Sequence, residues 1–422
     1  MGPPCARATR GAATLQLLFI LVPVLFGLIG FAIDLGQLYL SKGELKAAAN
    51  AMALASAQRL IGTDQAISDA TAAGQLTLDN STGFGNKYLF GSLVIGQTNG
   101  ALTSNVPQPA YFTTLQDALS SDGSGGGGDS TSRHVLVTLN ADVPLTFWGF
   151  LPLATDRRVS VAARAVAGIS APLCTACSME AFAVAAIDPT DPVDFGFVPD
   201  TKYTLGYSCS GTPAPFGLPG AFRRIPYLIV NRLDTNATIF ADENSQLFRI
   251  AAQGMPGSTN SALSCFSVNA TEVVWTDAAP IACSSTPNSI PNVVQASMCG
   301  LTTRFEPTPP GVCSAIPDVE TLSSIYTPDT DNTDIDTYAS YTGNGRRVVT
   351  VSIVDALNPN GMTILGFRQF LVDPDLNFID VNAADQNGRF RALYIGSVVP
   401  IKQGRFDGCQ ISNGPGKVVL HQ

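Results

Sequence analysis

Between Gly11 and Ile33 the chain carries no charged residue, and this run constrains the fold more than any other feature. Its centre, Leu15 to Ile33, reads LQLLFILVPVLFGLIGFAI, with Gln16 its only strongly polar side chain. Nineteen helical residues at ~1.5 Å each cover the ~30 Å hydrocarbon core of a bilayer. Pro23, Gly27 and Gly30 weaken a soluble helix but are tolerated in a membrane span, and Gly27 and Gly30 leave room for another helix. Three readings fit: a retained span, a signal peptide cleaved near Gly30-Phe31-Ala32, or a buried soluble helix. The run exceeds the ~7–15 residues of a signal-peptide core, which favours retention. Arg7 and Arg10 precede the run with no acid nearby, whereas Asp34 follows it and Lys42 and Lys46 bracket Glu44. Cationic residues stay on the cytoplasmic side, so the short N-terminus is expected in the cytoplasm and the bulk of the chain beyond the membrane.

The helix is expected to continue. Residues 35–61 are rich in Ala, Leu, Lys, Glu and Gln, and Leu38, Leu45 and Met52 recur every seventh position with Ala49 and Ala53 beside them. That is a narrow apolar stripe. It either packs against the protein's own domain or against sister subunits in a filament.

Arg10 to Ala57 resembles the N-terminal segment of TadE/TadG-like proteins of the tight-adherence (Tad, or Flp) pilus-assembly system. The features that carry the resemblance are the Arg10-Gly11 start, the Pro-containing span, the Asp34-Leu35-Gly36 exit and the Ala-rich helix with Asn50. The strand-like stretch Val135 to Ile169 is also similar, so the resemblance covers roughly residues 10–170. It implies a pilin-like subunit or assembly factor held in the inner membrane. Prepilin-type relatives are cut after a Gly and carry Glu five residues later. Here Gly11 is followed at that distance by neutral Gln16, which implies an uncleaved, TadG-like role.

The remainder is long enough for about two domains in a chain of 422 residues. Only 14% of residues are charged, against an ordinary apolar share of 45%. The net charge of −9 argues against a nucleic-acid partner, because phosphate binding needs a basic surface. Ser120 to Ser132, SSDGSGGGGDSTS, reads as a flexible loop or linker. Val135–Leu139 and Val159–Ile169 read as strands, with an apolar stretch holding Trp148 between them. After a boundary at Ser170–Pro172, residues 227–230, 348–354, 367–372 and 392–399 read as strands and Ser178–Ile187 as a short helix. The expected fold is α+β: a cytoplasmic N-terminus (1–14), a transmembrane helix (15–36), a pilin-like helix-and-sheet region (37–170) and a mostly β domain (171–422).

Cys5 precedes the span, and eight further cysteines follow Ile169: Cys174, Cys177, Cys209, Cys265, Cys283, Cys299, Cys313 and Cys409. An even set on one side of a membrane points to disulfides in an oxidising compartment, with the pairing open. Cys174-Thr175-Ala176-Cys177 is a CxxC. It lacks the His of a haem site, which leaves structural disulfides as the favoured reading, a redox dithiol at a helix start as the second, and zinc, for which no second CxxC exists, as the least favoured.

Catalytic signals are sparse. The only histidines, His134 and His421, are expected to be solvated, which disfavours a His-based triad. Gly414-Pro415-Gly416-Lys417 lacks the upstream Gly of a phosphate loop. Asp329, Asp331, Asp334 and Asp336 form a dense acidic stretch without the Gly and Glu of an EF-hand; it is either a solvated loop or a weak calcium site. The expectation is a non-enzymatic, cofactor-free, single-pass membrane component of a Tad-type pilus system. Its expected partners are the membrane and other pilus proteins or copies of itself. The alternatives are a major subunit polymerising through its N-terminal helix, or an anchored adhesin or enzyme.

Overall fold

The computed structural model describes residues 9–77, 108–145, 147, 158–177, 179–207, 223–230, 265–272, 292–306, 311–313, 327–358, 360–379 and 388–421. Helix α1 (Thr9–Ala57) is continuous through Pro23. At ~1.5 Å per residue its 49 residues extend to roughly 70 Å, more than twice a hydrocarbon core. It has two unlike halves. From Leu15 to Leu40 nearly every large side chain is exposed, Phe19 by 80%. From Leu45 onward one face is sealed, with Ala48, Ala49, Met52, Ala53 and Ala57 fully buried.

The buried half lies on an antiparallel sheet. Strands β1 (Ala110–Phe112), β2 (His134–Pro144) and β3 (Arg158–Ile169) pair in order, β2 and β3 as a long hairpin. Alternation along β2 turns Val135, Val137, Leu139 and Ala141 toward the helix, and Ala163, Ala165 and Ala167 do the same from β3. Alanine meets alanine here, so the helix axis approaches the sheet closely. Helix α2 (Ala66–Leu76) packs on the same stem: a side chain at Gly74 would reach within 2.2 Å of the Ser56 hydroxyl. The opposite sheet face, through Leu136 and Val166, is covered by helix α3 (Leu115–Ser120) and Phe112. The seven-residue stripe is therefore an intramolecular face over Leu45 and Met52, with Leu38 half-buried at its margin.

After Ile169 the chain enters a second unit. Its strands are β4 (Thr175–Cys177), β5 (Phe182–Ala185), β6 (Thr201–Tyr207), β7 (Arg223–Ile229), β8 (Phe266–Ser267) and β9 (Thr271–Glu272). Helix α4 (Asn292–Thr302) follows, then β10 (Val348–Val354), β11 (Met362–Val372), β12 (Phe390–Gly396), β13 (Gln403–Arg405) and β14 (Val418–His421). The ladder β10-β5-β7-β6-β12-β11 closes through the β10–β11 pairing into a six-stranded barrel, with β9 added along β11. The β5–β10 and β6–β7 pairs are parallel and the other barrel pairs antiparallel. Closure leaves those six strands no free edge. Tyr203, Tyr227, Phe182, Phe367, Phe370, Phe390 and Tyr394 fill the interior, and Phe197 stacks on Tyr394 at 5.1 Å between ring centres. A small sheet, β13-β4-β8, straps one side.

Four expectations are corrected. Ser178–Ile187 holds strand β5, not a helix: its four buried residues gain partners on both sides, from β7 and β10, and that burial outweighs the helical preference of alanine. Ser120–Ser132 is no free linker. The Gly126 and Gly127 amides donate to the Tyr111 carbonyl, and the Asp129 carboxylate accepts the Ile67 amide in the first turn of α2. The region after residue 171 is not one separate block, because β14 returns to pair with β3 and completes the first sheet. His134 is buried rather than solvated, and His421 half-buried; the two rings meet edge to face at 5.5 Å.

Candidate functional site: the membrane stem and the clefts beneath it

The bare half of α1 is, among the described residues, the one helix long and apolar enough to cross a membrane. Gln16 and Pro23 lie on its exposed surface, and Gly27 faces open space. Gly30 differs: a side chain there would collide with the ring of Phe147, 2.0 Å away. One turn later Asp34 is 2% exposed, and its two carboxylate oxygens accept the Phe147 amide at 3.0 and 3.2 Å. Phe147, three residues past the end of β2, is thus fastened to the helix where the apolar run ends. The sequence marked Asp34 only as the first charge after the span. Its partner lies 113 positions away, and nothing local announces it.

The acidic stretch is occupied internally. Asp329 accepts from the amides of Asp331 and Arg347 and from the Tyr341 hydroxyl. Asp331 accepts from Thr333 and Thr342. Burial alone would raise the Asp331 carboxyl, but the Thr333 and Thr342 hydrogen bonds and the Arg347 charge hold it below its usual value. Asp334 and Asp336 share Lys202, each at 2.7 Å, and Asp334 also meets Arg391. Arg391 in turn pairs with buried Asp373. The four carboxylates organise a loop around cations of the barrel. Among the described residues no three His, Cys, Asp or Glu side chains gather as metal ligands.

Two clefts lie where the stem's sheet meets the barrel. The first, of about 520 Å³, is lined by Arg59, Glu180, Arg304, Arg346, Thr350 and Lys402 among others. Glu180 is the only carboxylate among its lining residues. Both its oxygens are engaged, one by Arg304 and one by the Thr350 amide at 2.8 Å. Burial pushes the Glu180 carboxyl up, opposed by the Arg304 charge. Arg304 also donates to the carbonyls of Arg346 and Val348 at 2.8 Å each. Acid–base catalysis on a glycoside needs two carboxylates, and this wall supplies one that is already paired. Its chemistry is cationic: burial and neighbouring Arg346 both lower the Lys402 ammonium below its ordinary value.

The second cleft, of about 500 Å³, is lined by Arg133, His134, Asp194, Ser397 and Asn413 among others. Burial, then the neighbouring His421 and Arg133, lowers His134 from 6.5 to about 4. A buried neutral histidine makes folding pH-dependent. The unfolded chain takes up the proton near pH 6.5 and the folded one only near pH 4, so stability is complete above 6.5 and falls as pH drops through that window. A shift from 6.5 to about 4 corresponds to about 3 kcal/mol. In a pH series of thermal unfolding, His134→Gln should flatten the decline between pH 6.5 and 4; an unchanged decline would assign it to other groups.

The cysteines of the CxxC do not pair with each other. Cys174 bonds Cys409 and Cys177 bonds Cys265, which excludes a dithiol between them, and Cys299 bonds Cys313. Cys209 and Cys283 lie outside the described residues.

Residues 11–59, which are the stem, match the Tad family model, described as putative Flp pilus-assembly TadE/G-like. The match covers the helix and ends before the sheet, so the resemblance expected as far as residue 170 is shown for its N-terminal part. No curated protein and no solved structure matches the chain.

Proposed function

We propose that this protein is a non-enzymatic component of a Tad-type pilus system, anchored in the inner membrane by residues 15–36 with its sheet and barrel on the non-cytoplasmic side. The observation that carries the reading is the coincidence of the Tad match with a helix whose first half is bare and apolar and whose second half is sealed under its own sheet. The three disulfides among the described residues fit an oxidising compartment beyond the membrane. The role is that of an assembly factor or minor pilin-like subunit rather than the major filament subunit. Two features favour it: the stem's seven-residue stripe is spent within the chain, and Gln16 offers no charge to pair with a neighbour's amino terminus.

Clean deletion of the gene is expected to abolish or strongly reduce surface pili and adherence while leaving growth intact. Normal piliation would overturn the reading. Recovery of the protein as the main component of sheared filaments would instead assign it as the major subunit. The cationic cleft beside Glu180 keeps one test on the enzyme alternative: hydrolase activity that survives purification and is lost in Glu180→Gln would displace the non-enzymatic reading.

A further inference from the structure

We propose that Phe147, just past the Pro144–Arg158 end of the β2–β3 hairpin, seats in the headgroup region of the bilayer that α1 crosses, so that the protein touches the membrane twice. The inference rests on the anchored reading of α1 and goes beyond it, since an anchor alone leaves the extracytoplasmic unit free to tilt.

The hairpin's direction comes first. His134 pairs with Gly168 at one end and Pro144 with Arg158 at the other. It runs along α1 with its His134–Gly168 end away from the membrane and its Pro144–Arg158 end toward it. Depth follows from the helix. Gly30 lies four residues before Asp34, which is ~6 Å along the axis. The Phe147 ring contacts Gly30, inside the uncharged run, while its amide is held by Asp34 at the end of that run. An aromatic ring beside the last apolar turn and a polar backbone group beside the first charge is the arrangement that suits the interface, where aromatic side chains concentrate.

Neighbouring chemistry agrees. Leu145 and Phe147 are partly exposed, and Arg158 and Val159 at the start of β3 are exposed. Exposed apolar side chains suit hydrocarbon and an exposed cation suits anionic headgroups, so this end of the hairpin favours a lipid surface. Asp34 is the positioning residue. A carboxylate accepting a backbone amide forms a strong charge-assisted bond, and this one holds Phe147 at a fixed depth.

The test uses the full chain in proteoliposomes containing anionic lipid, with p-benzoylphenylalanine placed singly at Leu25, Phe147 or Leu376. Leu25 reports the span and Leu376, an exposed residue in the turn after β11, reports the aqueous side. Photolysis is expected to give lipid adducts at positions 25 and 147 and none at 376. The adduct at 147 should fall several-fold in Asp34→Ala and largely persist in Asp34→Asn, whose amide oxygen still accepts. Lipid adducts at 25 but not at 147 would overturn the inference and leave the anchor intact. Adducts at neither would overturn both. Cross-linking of 147 to a second copy of the chain, in place of lipid, would make this end of the hairpin a protein interface instead. An undiminished adduct in Asp34→Ala would remove Asp34 from its positioning role.

Discussion

Arg304→Met is expected to destabilise the barrel by about 3–5 kcal/mol, the usual cost of leaving one member of a buried ion pair alone. Glu180 and Arg304 are almost wholly enclosed, with side-chain exposures of 6% and 2%. Removing the guanidinium leaves the Glu180 carboxylate with the Thr350 amide as its remaining partner among those described above, and strips donors from the carbonyls of Arg346 and Val348. The loss should depend on pH in a definite direction. Without Arg304, burial raises the folded-state value of Glu180 above that of the unfolded chain, so the protonated form is favoured in the fold. The penalty is then small below about pH 4.5, where both states are neutral, and grows as pH rises. Glu180→Gln combined with Arg304→Met removes the stranded charge and should recover a large part of the loss. Denaturant unfolding of the full chain in detergent, run as a double-mutant cycle, measures this. A single-variant loss under about 1 kcal/mol, the size expected of an exposed pair, would show that water reaches the pair through the cleft.

The features legible in the sequence were those set by local pattern. The uncharged run gave α1, because no other short segment satisfies its backbone in lipid. The β-branched runs Val348–Val354 and Val135–Leu139 read correctly as strands because their side chains suit a pleated, half-buried surface. Strand β5 was hidden, since Phe-Ala-Val-Ala carries no local bias strong enough to oppose an alanine-rich neighbourhood. Its identity comes from β7 and β10, the latter paired with it from about 170 positions further on. The closing β10–β11 pair, the return of β14 to β3 and the reach of Phe147 to Asp34 are likewise long-range. Cysteine count announced structural disulfides, but spacing left their pairing open, and the partners of Cys174 and Cys177 lie 235 and 88 positions away. Glu180 and Arg304 carried no signal at all: a charged residue bound for the interior looks like any other until its partner is known.

The disulfides should rank by the chain each one encloses. Cys174–Cys409 spans 235 positions and Cys299–Cys313 spans 14. In the loop-entropy account a 15-residue loop contributes about 3 kcal/mol and a 100-residue loop about 4.7, so the long bridge sits near the upper end of the measured range of up to about 5. Nesting matters as well. The Cys177–Cys265 loop lies inside the long one and shortens its effective length, so the Cys174→Ser, Cys409→Ser chain retains part of the restraint. That double variant is expected to lose about 2–5 kcal/mol, against less for Cys299→Ser, Cys313→Ser. Location adds a second readout. Cys409 stands between β13, which straps β4, and β14, which completes the stem's sheet. Loss of the long bridge should therefore expose the chain between residues 403 and 417 to protease first, while the stem helix stays protected. The same cuts are expected in wild-type protein held in the reducing cytoplasm, and their absence from membrane-inserted protein would place residues 171–422 in an oxidising compartment. Early cutting within the barrel strands instead, or a larger loss for the short bridge than for the long one, would show that loop length does not govern how this fold is stapled.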